Sequence, residues 1–252
     1  MAVRAAIAKL ASGPRTLSRE TSHHLCRVLR LGEGDRFVAF DPDTRMEADA
    51  TIDTPSGEAA HVSIGHIRAG SVVAETPIVL VYGLAKGDKV DAVVRDATEL
   101  GATRIVIART ARAVAKVVDD DRAAAKLERW RRIAEQAARQ CGRADPPAIE
   151  GVLPWKAALE GAARDASARY CLWENATEPL GGTLLDRARE GSSLAFAIGP
   201  EGGLSESEVE EARVLGFAAV SLGRFVLRTE TVAAAVLGAV RILAGVAGEH
   251  GR

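Results

Sequence analysis

The chain has 252 residues, of which 47% are apolar and 27% charged, with a formal net charge of −1; this is room for two domains in a globular composition. No apolar run approaches the ~20 residues that span a bilayer, residues 1–9 lack the apolar stretch and cleavage site of a signal peptide, and the near-neutral balance does not by itself advertise a polyanionic partner. Cys26, Cys141 and Cys171 are widely separated, with no CxxC pair, so no zinc or other metal site is expected and a reducing cytoplasm suits the chain.

Local charge is less even than the total. Through residue 30 the basic residues Arg4, Lys9, Arg15, Arg19, Arg27 and Arg30 face Glu20 as the only acid, which suits either a polyanion or an ordinary solvated surface. A short helix is expected over 22–29, then a strand over 36–40 entered through Gly32-Glu-Gly-Asp35, then a turn at Asp41-Pro-Asp-Thr44. Met46, Ala48, Ala50 and Ile52 alternate with polar neighbours, and Ala60, Val62 and Ile64 do so again, as in half-buried strands. Residues 1–72 therefore predict a small β-barrel domain, joined through 69–76 to a second domain over 73–252.

From Pro77 onward strands and helices alternate. Strands are expected at 78–82, 104–108, 169–173, 194–198 and 218–222. Asp88 can cap a helix carrying Val90, Val93, Val94, Ala97 and Leu100, closed by Gly101. Further helices are expected at 122–142, 205–215 and 230–246. Continuous apolar strands between amphipathic helices predict an α/β domain with a mainly parallel sheet covered on both faces. Ligands of such sheets bind beyond the carboxyl ends of the strands.

Two loops there stand out. In Ile198-Gly-Pro-Glu-Gly-Gly203 the glycines allow close backbone approach, and Ser205 with Glu208 forms a capping box for the next helix. No Gly-Lys-Ser/Thr and no G-x-G-x-x-G follows, so neither a P-loop nor a dinucleotide fingerprint is present. In Leu222-Gly-Arg-Phe-Val-Leu-Arg-Thr-Glu-Thr231, Thr229 can cap a helix, and Arg228 and Glu230 are either a structural ion pair or charges held for use.

Together these two loops resemble the paired signature of RsmE-type methyltransferases in the SPOUT superfamily. His23-His-Leu-Cys-Arg-Val-Leu-Arg-Leu-Gly-Glu-Gly-Asp35, the stretch from Lys86-Gly-Asp-Lys89 to Thr98-Glu-Leu-Gly101, and Gln140-Cys-Gly-Arg143 with Pro147 are similar to further segments of that family, in its order. Phe225 and the amino-terminal Met-Ala-Val-Arg-Ala-Ala depart from its usual pattern.

The resemblance implies a PUA-like N-terminal barrel and a SPOUT-type knotted parallel sheet, a topology that default rules for chain threading would not give. It implies S-adenosyl-L-methionine as cofactor, a homodimer, and methylation of N3 of a uridine in 16S rRNA, within the small ribosomal subunit. Carried onto this chain, the cofactor would be held by Leu172, Trp173, Glu174, Ile198, Gly199, Pro200, Glu201, Gly202, Leu222, Gly223, Leu227, Arg228 and Thr231. Arg228 would stabilise charge on a uracil oxygen, with Glu230 orienting it or acting as base. RNA would be met by His23, Arg27, Arg30, Lys86, Arg139, Gln140 and Arg143. Two alternatives stay open: a SPOUT enzyme with another RNA target, and an RNA-binding assembly protein without catalysis.

Overall fold

The structure is a computed structural model that describes residues 3–70, 74, 76–113 and 120–249. The chain divides into two compact units, residues 1–73 with 135–146, and residues 74–134 with 147–252.

The first unit is built on one six-stranded sheet. Its strands are β1 (Arg4–Ala6), β2 (Gly13–Thr16), β3 (Arg36–Asp41), β4 (Met46–Thr54), β5 (His61–Ile64) and β6 (Arg68–Ala69). They run β1-β3-β4-β5-β2, with β6 on β4, and only β1 and β3 are parallel. The expected alternation holds: Ala48, Ala50 and Ile52 of β4 and Val62 and Ile64 of β5 face the core with Phe37 and Leu25. Next to Ala48, Glu47 points the other way, yet it is only 1% exposed. Arg4 Nη2 meets it at 2.7 Å and Arg68 Nε at 3.2 Å, and the Arg4 guanidinium lies 5.4 Å from the centre of the Phe40 ring. Arg4, counted above with the surface cations, is thus a buried partner of Glu47.

Helix α1 (Arg19–His23) is capped by Ser18, whose side chain accepts from Thr21 N, and continues into a π-turn over His24–Val28. The helix expected at 22–29 therefore starts three residues earlier. Asp41 organises the expected turn by accepting from Asp43 N at 3.0 Å. Strands β1, β2 and β6 were not expected; they are short and lack alternating apolar residues. Of the connection at 69–76, Ala69 belongs to β6 and Gly70 N donates to Arg45 O at 2.9 Å. Residues 71–73 and 75 lie outside the described residues.

The second unit is a parallel sheet of β7 (Ile78–Gly83), β8 (Arg104–Arg109), β9 (Ala148–Pro154), β10 (Ala168–Leu172), β11 (Leu194–Ile198) and β12 (Ala218–Val220), in the order β12-β10-β11-β7-β8-β9. Its helices are α2 (Lys89–Glu99), α3 (Asp120–Cys141), α4 (Trp155–Asp165), α5 (Gly181–Arg189), α6 (Glu206–Val214) and α7 (Thr229–Glu249); the last turns of α3, from residue 135, group with the first unit.

Both faces of the sheet are covered, which is why its strands read as unbroken apolar runs. Leu80, Tyr82, Ile105 and Phe196 pack with Val93 of α2 and Val236 of α7, while Val79, Val81, Val106 and Ala195 pack with Leu159 of α4 and Phe217. Each fully buried side chain of this size contributes about 1.5–3 kcal/mol. Cys171 lies at 0% exposure within β10, where burial pushes its thiol pKa up to about 12.

Three elements of this unit were not expected. Strand β9 is an edge strand with Gly151 and Pro154 in it and one fully buried residue, Ile149. Helix α5 opens on Gly181-Gly182, poor helix formers. Helix α4 buries Trp155 and Leu159 among the small residues Ala158, Gly161 and Ala162, which carry little apolar pattern. Asp88 stands at the N-cap of α2, but its side chain makes no capping hydrogen bond.

Candidate active site

Strand order decides where the site falls. Strand β10 lies between β12 and β11, with Leu172 opposite Ile198 on one side and Val220 on the other. The carboxyl ends of three parallel strands therefore stop level, and the loops leaving them run side by side. Those loops are 173–174, 199–203 and 221–228, and they enclose a cavity of about 200 Å³.

Leu172, Trp173, Glu174, Ile198, Gly199, Pro200, Glu201, Gly202, Leu222, Gly223 and Leu227 all line it. Arg228 and Thr231 do not. The sequence reading also missed Gly203, Leu204, Val220, Ser221, Arg224, Phe225, Val226, Thr229 and Val232, which line it too. Most of these continue the predicted loops; Thr229 and Val232 are three apart on one face of the first turn of α7.

The glycine turn is shaped by backbone contact. Gly203 N donates to Pro200 O at 2.9 Å, and Gly203 has φ +71°, which L side chains rarely adopt. From behind, Gly83 at the end of β7 presses on the turn: a Cβ there would lie 2.6 Å from Pro200 N. After the turn, Ser205 and Glu208 form the expected capping box of α6. Glu208 also accepts from Ala111 N at 2.7 Å, which ties the loop after β8 to this helix.

A polar chain runs beside the cavity. Glu201 Oε1 accepts from Lys86 N at 3.1 Å and meets Lys89 Nζ at 3.3 Å. The same Nζ lies 3.8 Å from Glu230 Oε2. Thr229 Oγ1 donates to Glu230 Oε2 at 3.3 Å and pairs with the Tyr82 hydroxyl at 2.5 Å. Burial pushes the Tyr82 pKa up to about 12. Burial also raises the Glu201 pKa, but hydrogen bonds from its own N–H and from Lys86 N–H, with the Lys89 charge, outweigh it and hold the carboxyl below its usual value.

At α7 one expectation is corrected and one open alternative is narrowed. Thr229 does not cap the helix from outside; it is its first residue, and its hydroxyl serves Tyr82 and Glu230. Glu230 pairs with Lys89, not with Arg228. Arg228 is exposed, and its side chain has no hydrogen bond or ion pair among the described residues. It stands between Leu227 and Thr229, both of which line the cavity.

Of the residues expected to meet RNA, His23, Arg27, Arg30 and Gln140 are exposed and Arg139 is half-buried in the first unit. Burial, then the Arg139 charge, lowers the His24 pKa. Arg143 is different. It is 3% exposed, with Nε 3.0 Å from Asp145 Oδ1 and Nη2 2.8 Å from the Asp145 carbonyl, so its guanidinium is committed inside the unit and does not offer a surface contact. Lys86 is exposed in the second unit.

Among the described residues no cluster of His, Cys, Asp or Glu is placed to hold a metal ion, and no helix is long and apolar enough to cross a membrane. Residues 73–241 match the RNA methyltransferase domain family, and residues 17–64 the RNA methyltransferase PUA domain family. The ribosomal RNA small subunit methyltransferase E of Bacillus subtilis is 32% identical over 231 residues, 89% of this chain and 88% of that protein. The protein of that name from Mycobacterium bovis is 32% identical over 225 residues, covering 87% and 83%. The crystal structure of a ribosomal RNA small subunit methyltransferase E from Neisseria gonorrhoeae bound to S-adenosyl methionine has a TM-score of 0.83 at 26% identity, covering 96% of this chain and 98% of that one. The fold is thus the SPOUT type of α/β sheet with a PUA-like N-terminal domain, and the chain belongs to the ribosomal RNA small subunit methyltransferase E family of RNA methyltransferases.

Proposed function

We propose that the chain methylates N3 of a uridine in 16S rRNA, with S-adenosylmethionine as donor, acting as a homodimer in the cytoplasm on the small ribosomal subunit. The observation that carries this reading is the meeting of the glycine turn and the arginine-bearing bend around one cavity at the carboxyl edge of the sheet. The cavity suits the donor. Leu172, Ile198, Leu222 and Leu227 offer apolar walls to an uncharged adenine, the glycines bring main-chain groups within reach, and Glu174 and Glu201 bring negative charge to a cationic ligand. Relatives at about a third identity carry the same enzyme name, and the gonococcal structure holds that donor.

When bound, the donor supplies an electrophilic methyl group. The chain's own part is to align the uracil ring and to favour its anion, because the N3 proton leaves reluctantly at neutral pH. Arg228, exposed and unpaired among the described residues, is free to lie against a uracil carbonyl oxygen and stabilise the charge there. Glu230 is held by Lys89 and Thr229 beside it. His23, Arg27, Arg30, Arg139, Gln140 and Lys86 are proposed to grip the RNA, Arg224 and Leu222–Leu227 to frame the target base. Arg143, buried against Asp145, is not among them.

The homodimer is supported by the rim of the cavity. Phe225 and Val226 are 86% and 84% exposed, with Leu222 and Leu227 beside them. Such a patch on a bend suits an interface with a second copy. A trefoil knot fits the path of the chain end: β12 lies at one edge of the sheet, yet α7, which follows it, packs on α2 and α5.

Mass spectrometry of 16S rRNA from a strain lacking the gene tests the target; N3-methyluridine that persists there refutes it. Titration calorimetry with S-adenosylmethionine tests the donor. Sedimentation of Phe225→Asp tests the dimer, with a shift toward monomer expected.

A further inference from the structure

We infer that Lys89 is a positioning residue whose ammonium ties the glycine turn to the first turn of α7 and so keeps the donor cavity formed before the donor arrives. The inference rests on the donor-site reading above. Lys89 itself does not line the cavity, so its effect is indirect.

One cation serves two loops that leave different strands. Glu201 belongs to the loop after β11 and Glu230 to the segment after β12, and both carboxylates lie within 3.8 Å of Lys89 Nζ. Without the cation, the loops would carry two like charges facing one gap.

The placement of Lys89 within its own helix points the same way. It is the first residue of α2, at the end where the helix dipole disfavours a positive charge and favours an acid such as Asp91, two residues on. A charge set against its own helix is accounted for by what it meets outside that helix. The segment before it is shaped for the purpose: Gly87, at φ +66°, bends the chain so that Lys86 N–H and the Lys89 ammonium both reach the Glu201 carboxylate. On the far side, Thr229 joins Glu230 to the buried Tyr82 hydroxyl. The tether therefore ends on the sheet at Tyr82 of β7 on one side and in the glycine turn at Glu201 on the other.

The Lys89 side chain is 33% exposed, so each ion pair alone is weak. Their joint effect is preorganisation, since loops held in place beforehand need not be ordered when the donor binds.

The test uses Lys89→Met and Lys89→Arg in the full chain, with three measurements: S-adenosylmethionine affinity by calorimetry, thermal midpoint, and amide hydrogen exchange of 199–203 and 229–232 without ligand. For Lys89→Met we expect the donor Kd to rise about five- to tenfold. Exchange should quicken in both segments together. The thermal midpoint should move by less than about 3 °C, because relief of the helix dipole offsets the lost pairs. Lys89→Arg should restore affinity and exchange. Unchanged exchange in either segment, or an unchanged Kd in a protein whose wild type binds the donor, overturns the inference. A wild type that binds no donor, while Lys89→Met still loosens both segments, upholds the tether and sinks the donor reading instead.

Discussion

Replacing Gly83 with alanine tests whether the glycine turn is set from behind by the end of β7. A Cβ at position 83 would lie 2.6 Å from both the nitrogen and Cδ of Pro200 and 3.0 Å from the carbonyl carbon of Gly199. Ordinary contact begins near 3.4 Å, so the turn must retreat by about 0.8 Å, the difference between 3.4 and 2.6 Å. The obstacle is backbone, with no flexible side-chain end to swing aside. Overpacking of this kind costs about 1–3 kcal/mol. At about 2–4 °C per kcal/mol for a chain of this size, the thermal midpoint should fall by roughly 2–12 °C. Gly83 does not line the cavity, but Gly199 and Pro200 do, so donor affinity should fall by at least about tenfold. Scanning calorimetry and donor titration read the two effects. Gly182→Ala is the control: it is an exposed position in α5 with nothing within 4 Å of the added Cβ, and it should stabilise by about 0.5–1 kcal/mol without touching affinity. A Gly83→Ala protein that matches wild type in both assays would refute the argument.

Arg228→Ala should remove most methyl transfer while sparing donor binding, measured by transfer of labelled methyl to small subunits beside donor titration; near-wild-type transfer would exclude the role proposed for it. Glu201, held below its usual pKa of 4.5, adds stability at neutral pH that is lost as pH falls through 4.5 and below. The urea midpoint of Glu201→Gln should therefore drop less steeply than wild type between about pH 5 and pH 3. Glu47→Gln should cost about 3–5 kcal/mol in the first unit, because it leaves Arg4 buried beside a neutral group; thermal unfolding that is unchanged would show the pair to be dispensable.

The parts of the fold that could be read in advance are those whose burial writes itself into the residue order. Strands β7 and β11 are covered on both faces and appear as Ile78-Val-Leu-Val-Tyr82 and Leu194-Ala-Phe-Ala-Ile198. Strand β9 escaped notice because an edge position asks for little apolar surface, and α5 because its first turn is Gly-Gly. The site was legible as loops, through the paired motifs, but not as contacts. Nothing local joins Tyr82 to Thr229, 147 residues on. Likewise Arg143 was expected to meet RNA, and only the packing of the unit shows that Asp145 holds it inside. Arg228 was one open partner for Glu230 in the sequence, whereas folding brings Lys89 to it from the other end of the domain.

The thiol enclosed in β10 gives the second unit an internal clock. With its ionisation displaced to about 12 and no solvent access, Cys171 can meet an alkylating reagent only when strands part. Cys26 and Cys141 are partly accessible and should label early. The slow third label would then time how often the sheet opens, with no introduced probe.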